Sequence, residues 1–140
     1  MKTTIFVLCA STFLFFSCKK NGEFDNYNNL TKDSWKVKDI HDEQGNSVLK
    51  KCEADDIIQF EAKSFTHLEG AKDCSTGLFL KDAEWSFADD GSAIKIKKVY
   101  QTDRGLSGAG VKDKYYIITL NETELVIKKE HEDKVYYFER

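Results

Sequence analysis

From Leu30 onward, apolar residues recur at every second position rather than every third or fourth, and turn-forming residues interrupt them at short intervals. That is the pattern of strands buried on one face. Trp35-Lys36-Val37-Lys38 alternates, and 57–61 and 64–69 flank the break Ala62-Lys63. Glu84-Trp85-Ser86-Phe87 alternates and stops at Asp89-Asp90-Gly91, where an Asp-Gly step turns the chain. Ile94-Lys95-Ile96-Lys97 is the cleanest alternation, 115–120 and 124–129 pair around Asn121-Glu122-Thr123, and 134–139 closes the series, giving eight strands. No run of ten or more residues shows helical spacing. Residues 30–34 are expected to make at most one helical turn, with Thr31 as its N-cap.

Eight consecutive antiparallel strands, each with one apolar face, can bury those faces by closing into an up-and-down barrel, which also removes exposed sheet edges. The expected fold class is therefore all-β, a small eight-stranded antiparallel barrel, with a two-sheet sandwich as the alternative. The absence of proline fits long hydrogen-bonded ladders in either architecture.

Ahead of the strands, Met1-Lys2 is positively charged, 5–16 is a nearly unbroken apolar run of 12 residues, and Ser17-Cys18-Lys19-Lys20 follows. The run suits a signal-peptide core and is shorter than the ~20 residues that span a bilayer. Leu14-Phe15-Phe16-Ser17-Cys18 resembles the lipobox of bacterial lipoproteins. That resemblance implies cleavage after Ser17, a diacylglycerol thioether on Cys18, and an acyl chain such as palmitate on the new amino terminus. The alternative is an ordinary signal peptide cut near Ser17, with Cys18 a free thiol. Residues 1–17 are then the leader, 18–29 a polar, lipid-anchored tether and 30–140 the barrel domain. The implied location is the bacterial cell envelope, with the outer membrane as anchor and the domain facing periplasm or cell surface. The partner is the membrane itself, reached through Cys18.

Removing the leader leaves 123 residues, enough for one domain. The whole chain carries a formal charge of −3, which becomes −4 with the loss of Lys2. Nothing is basic enough to indicate nucleic-acid binding. Cys9 leaves with the leader and Cys18 is the lipid site, so Cys52 and Cys74 remain as a pair that an oxidising compartment should join. A metal or redox pair is the weaker reading, because no CxxC spacing and no nearby histidine supports it.

Several segments in order resemble the lipocalin-like domains of bacterial lipoproteins: Leu30 with Trp35, Cys52-Glu53 with Asp55-Asp56-Ile57-Ile58 and Phe60, Gly70 with Cys74, Trp85-Ser86-Phe87, then Tyr116-Ile117-Ile118 and Glu124-Leu125-Val126-Ile127. The resemblance spans 30–140. It implies a monomeric barrel that holds one small, mostly apolar ligand, with Trp35 closing the base and Phe60, Trp85, Phe87, Tyr116 and Tyr136 lining the space towards the mouth. Phe138, Val37, Ile58, Ile94, Ile96, Leu125 and Ile127 are expected inward between them. An equally physical reading is that these side chains simply fill the interior, leaving the outer face or loops to contact protein or glycan. The glycine-rich 104–110 is expected to be a flexible connection, or a lid over the mouth with Leu106 at its tip.

Enzyme chemistry has little support. His41, His67 and His131 lack metal-ligand spacing, and Asp55-Asp56 and Asp89-Asp90 are adjacent carboxylates that a strand would point to opposite faces. The glycine-rich stretch lacks the Gly-Lys-Ser/Thr ending of a phosphate loop, and no Gly-x-Ser-x-Gly elbow occurs. The chain reads as a non-catalytic protein with no cofactor.

Overall fold

A computed structural model describes residues 21–72, 74, 79, 83–101 and 107–140. The leader 1–17, Cys18 and the tip of the glycine-rich stretch, 104–106, lie outside them. The chain begins with helix α1 (Asn21–Thr31) and continues through β1 (Trp35–His41), β2 (Ile57–Phe60), β3 (Ser64–Leu68), β4 (Ala83–Ala88), β5 (Ala93–Gln101), β6 (Ser107–Leu120), β7 (Glu124–Lys129) and β8 (Val135–Glu139). Every strand pairs antiparallel with its neighbour in sequence, and β8 pairs with β1, so the sheet is a closed barrel.

The alternation dictates which side chains fill it. Trp35 and Val37 of β1, Ile58 and Phe60 of β2, Phe65 and His67 of β3, Trp85 of β4, Ile94 and Ile96 of β5, Leu125 and Ile127 of β7, and Tyr136 and Phe138 of β8 are all buried. Bulges between Val37 and Asp39, Lys97 and Val99, and Ile117 and Thr119 shift the register. The first lets Ile40 return to the interior, and the last lets Leu120 pack against the core after Ile117. At the β4–β5 hairpin, Asp89, Asp90 and Gly91 adopt φ of 52°, 55° and 87°. Aspartate tolerates this left-handed region better than most residues, and glycine enters it freely.

Three expectations need correction. The stretch 18–29, expected as a tether, is helical from Asn21 and continues to Thr31. Thr31 sits at the C-terminal end, donating its hydroxyl to the Tyr27 carbonyl at 2.9 Å, rather than at an N-cap. Asn-rich sequence is a poor helix former, so contacts with the barrel sustain α1. Leu30 is fully buried, the Tyr27 ring stacks 6.0 Å from Trp85, and Asn26 Nδ2 donates to the Gly91 carbonyl at 3.3 Å.

The second correction is at 107–110, expected as loop or lid. It is strand backbone, with Ser107, Gly108 and Ala109 paired to Gln101, Tyr100 and Val99. Third, Tyr115 and not Tyr116 faces inward, at 1% and 40% exposure. Four consecutive apolar residues, Tyr115 to Ile118, carry no alternation from which to choose.

Candidate functional site

The barrel has two ends, each closed by a different device. At the α1 end, the Trp35 indole donates Nε1–H to the Leu30 carbonyl at 3.0 Å, and the Arg140 guanidinium lies 3.8 Å over its ring. Arg140 also donates to the carbonyls of Glu122, at 2.7 Å, and of Asn29. One cation therefore ties the end of β8, the β6–β7 turn and α1 together over the tryptophan. Trp85 belongs to this end too, which corrects the expectation that it lines the mouth. Its Nε1–H donates to the Glu61 carbonyl at 2.7 Å, and its ring packs edge-on against Phe60 at 5.3 Å and Phe87 at 5.2 Å.

The opposite end is closed by the segments before β2 and after β3. Cys52 and Cys74 are disulfide-bonded with Cα atoms 5.5 Å apart. Beside the bridge, Asp55 Oδ2 accepts from Ala71 N–H at 2.8 Å and Asp56 Oδ1 from Gly70 N–H at 3.0 Å. A Cβ at Gly70 would stand 2.0 Å from Asp55 Cγ, so any other residue here would displace the Asp55 carboxylate from Ala71. Five residues past Cys74, Phe79 inserts into the barrel. Its ring centroid lies 5.4 Å from both Tyr115 and Tyr136, 6.0 Å from both Phe65 and Phe138, and 5.8 Å from His67. A loop residue thus occupies the place a calyx would leave for a ligand.

One polar pair shares this space. His67 Nε2 is 3.0 Å from Asp56 Oδ2, and both side chains are essentially inaccessible. Asp56 accepts from the Gly70 N–H on its other oxygen. Nδ1 is buried without a partner.

Burial raises the Tyr115 and Tyr136 pKa values well above the ordinary 10.0, and the nearby Asp113 and Glu132 carboxylates add to the respective effects. Above pH 10 the unfolded chain therefore releases these protons while the folded chain retains them. Stability should be unaffected by these groups below pH 10 and fall above it, by about 1.4 kcal/mol per pH unit for each tyrosine. Urea midpoints measured from pH 8 upward should show this decline, and Tyr115→Phe should remove about half of the slope.

Of the residues expected to line a binding site, Trp35, Phe60, Trp85 and Tyr136 are buried inside, Phe87 is partly buried against the same core, and Tyr116 is outside. Tyr116 instead donates its hydroxyl to Glu130 Oε1 at 2.8 Å. Phe79, Tyr115, the Asp56–His67 pair and Arg140 were not singled out by sequence. The signal for Phe79 was its apolar neighbourhood Leu78-Phe79-Leu80, shortly after a disulfide cysteine. Among the described residues, no group of three or more His, Cys, Asp or Glu side chains is placed to hold a metal ion. A surface recess of about 540 Å³ lies on the outer wall of β4, β5 and β6, lined mainly by charged side chains including Lys95, Lys97 and Lys112.

The architecture has a counterpart among solved structures. A crystal structure of a lipocalin-like protein from Bacteroides uniformis superposes with a TM-score of 0.55, covering 80% of this chain and 98% of that chain at 18% sequence identity. The fold is lipocalin-like. No family model matches the chain, and no curated protein matches it. At this identity the similarity describes the barrel and its connectivity, and the chemistry of the interior rests on this chain's own residues.

Proposed function

We propose that the chain is a lipid-anchored, non-catalytic protein of the bacterial cell envelope whose barrel is a rigid, filled platform that makes contacts through its outer face. One observation carries this reading: Phe79 stands among Phe65, Tyr115, Tyr136 and Phe138 where a lipocalin-type ligand would sit. The residues first expected to line a ligand pocket then act as core. The anchoring part rests on the 12-residue apolar run and the Ser17-Cys18 junction.

A second reading, binding of a small and mostly apolar ligand inside the barrel, has one observation in its favour. His67 Nδ1 is a buried polar atom without a partner beside Phe79, and such atoms are rare enough to need a reason. Fluorescence of Trp35 and Trp85, titrated with fatty acids, sterols, porphyrins and flat aromatics, separates the two. The filled platform gives no saturable response. A saturable change at one ligand per chain would replace it with the ligand-binding reading. For the anchor, Cys18→Ser should release the protein from the membrane or leave it unprocessed, as read by fractionation and mass. A Cys18→Ser protein that is matured and stays membrane-bound like wild type contradicts lipidation at this residue.

A further inference from the structure

The outer wall of β5 and β6 carries lysines in a register that internal stability does not favour. Lys95 lies directly opposite Lys114, and Lys97 directly opposite Lys112. Like charges facing each other across adjacent strands weaken the pairing. Lys114 is neutralised by Asp89 at 2.7 Å and Glu130 at 3.5 Å. Lys95, Lys97 and Lys112 form no ion pair with another described residue, and Glu84 is the carboxylate set opposite Lys97 in the ladder. Lys95, Lys97, Lys112 and Lys114 thus share the recess on this wall with Glu84, Asp113 and Glu130, a local excess of cations in a chain whose net charge is −3.

The same wall adjoins α1. The helix packs against the Asp89–Gly91 turn and β6, and Lys114 reaches Asp89 of that turn. Cys18 precedes Asn21 by three residues, at most about 11 Å of extended chain. An acyl group on Cys18 would therefore hold α1 and the wall beside it at the lipid surface.

The geometry points to Lys95, Lys97 and Lys112 as a docking face for the phosphates of anionic lipid headgroups, laying the β5–β6 wall on the membrane that holds the anchor. The orientation rests on the anchoring proposed for Cys18, whereas the affinity of the lysine face for an anionic surface needs no acyl chain. The mature chain carrying Cys18→Ser is therefore the reagent. In flotation assays at low salt it should bind vesicles of phosphatidylcholine containing about a third phosphatidylglycerol, should not bind phosphatidylcholine alone, and should dissociate as salt is raised. Combining Lys95→Gln, Lys97→Gln and Lys112→Gln should lower vesicle partition roughly a hundredfold. Lys36→Gln with Lys38→Gln, on β1, four strands from β5 and three from β6, should leave it unchanged.

Equal binding to neutral and anionic vesicles, or a triple variant that binds like the parent, overturns the proposal. So does binding of inorganic pyrophosphate at these lysines without vesicle binding. Flotation of the wild-type lipidated protein with neutral vesicles reads the anchor separately, so failure of the anchor and failure of the lysine face are distinguishable.

Discussion

Phe79→Ala is expected to destabilise the barrel by about 3–5 kcal/mol, the cost of removing a buried phenyl ring and leaving a cavity. The ring touches side chains from β3, β6 and β8. Strands on opposite sides of the barrel would lose a shared partner together, and relaxation could close the space only by distorting the closed sheet. A domain of this size has about 5–15 kcal/mol to lose in total, so the shift of the urea midpoint should be large. A loss below about 1 kcal/mol would mean that the ring does not fill the interior, and the filled-platform reading would lose its support.

Reduction of the Cys52–Cys74 bridge should cost about 3 kcal/mol. The linked residues are 22 apart in sequence, and opening the bridge restores loop entropy to the unfolded chain. The bridge does not act alone. Asp55 and Asp56 fasten the same two segments through Ala71 and Gly70, and Phe79 follows five residues after Cys74. The cost in Phe79→Ala should therefore be smaller than in wild type, because both changes loosen the same closure. Urea titrations of both proteins with and without reductant measure this coupling. Strict additivity, within about 0.5 kcal/mol, would show that the disulfide and the Phe79 plug are independent.

The strands were legible because alternation is a local property. All eight expected runs coincide with observed strands, and the Asp89-Asp90-Gly91 turn falls where its residue types placed it. The pairing of Cys52 with Cys74 followed from elimination and compartment and is observed. What sequence could not give depends on tertiary contact. Helix α1 has weak local propensity and exists through Tyr27, Leu30 and Asn26 meeting the barrel. The facing of Tyr115 against Tyr116 depends on a strand phase that an unbroken apolar run hides. Ser107–Gly110 reads as loop from its glycines, yet β5 offers it a pairing partner. Phe79 has an apolar neighbourhood in Leu78-Phe79-Leu80, but without strand periodicity that run does not say which of its side chains points inward.

The interior decides what kind of protein this is, and native mass spectrometry of the protein extracted from its own cells interrogates it directly. The masses of the folded and the denatured protein are compared, with the covalent acyl group present in both. The filled barrel requires the two masses to agree, with nothing released on unfolding. A small molecule bound at one per chain in the folded protein and lost on denaturation would contradict it, and would place a ligand beside His67 where Phe79 now stands.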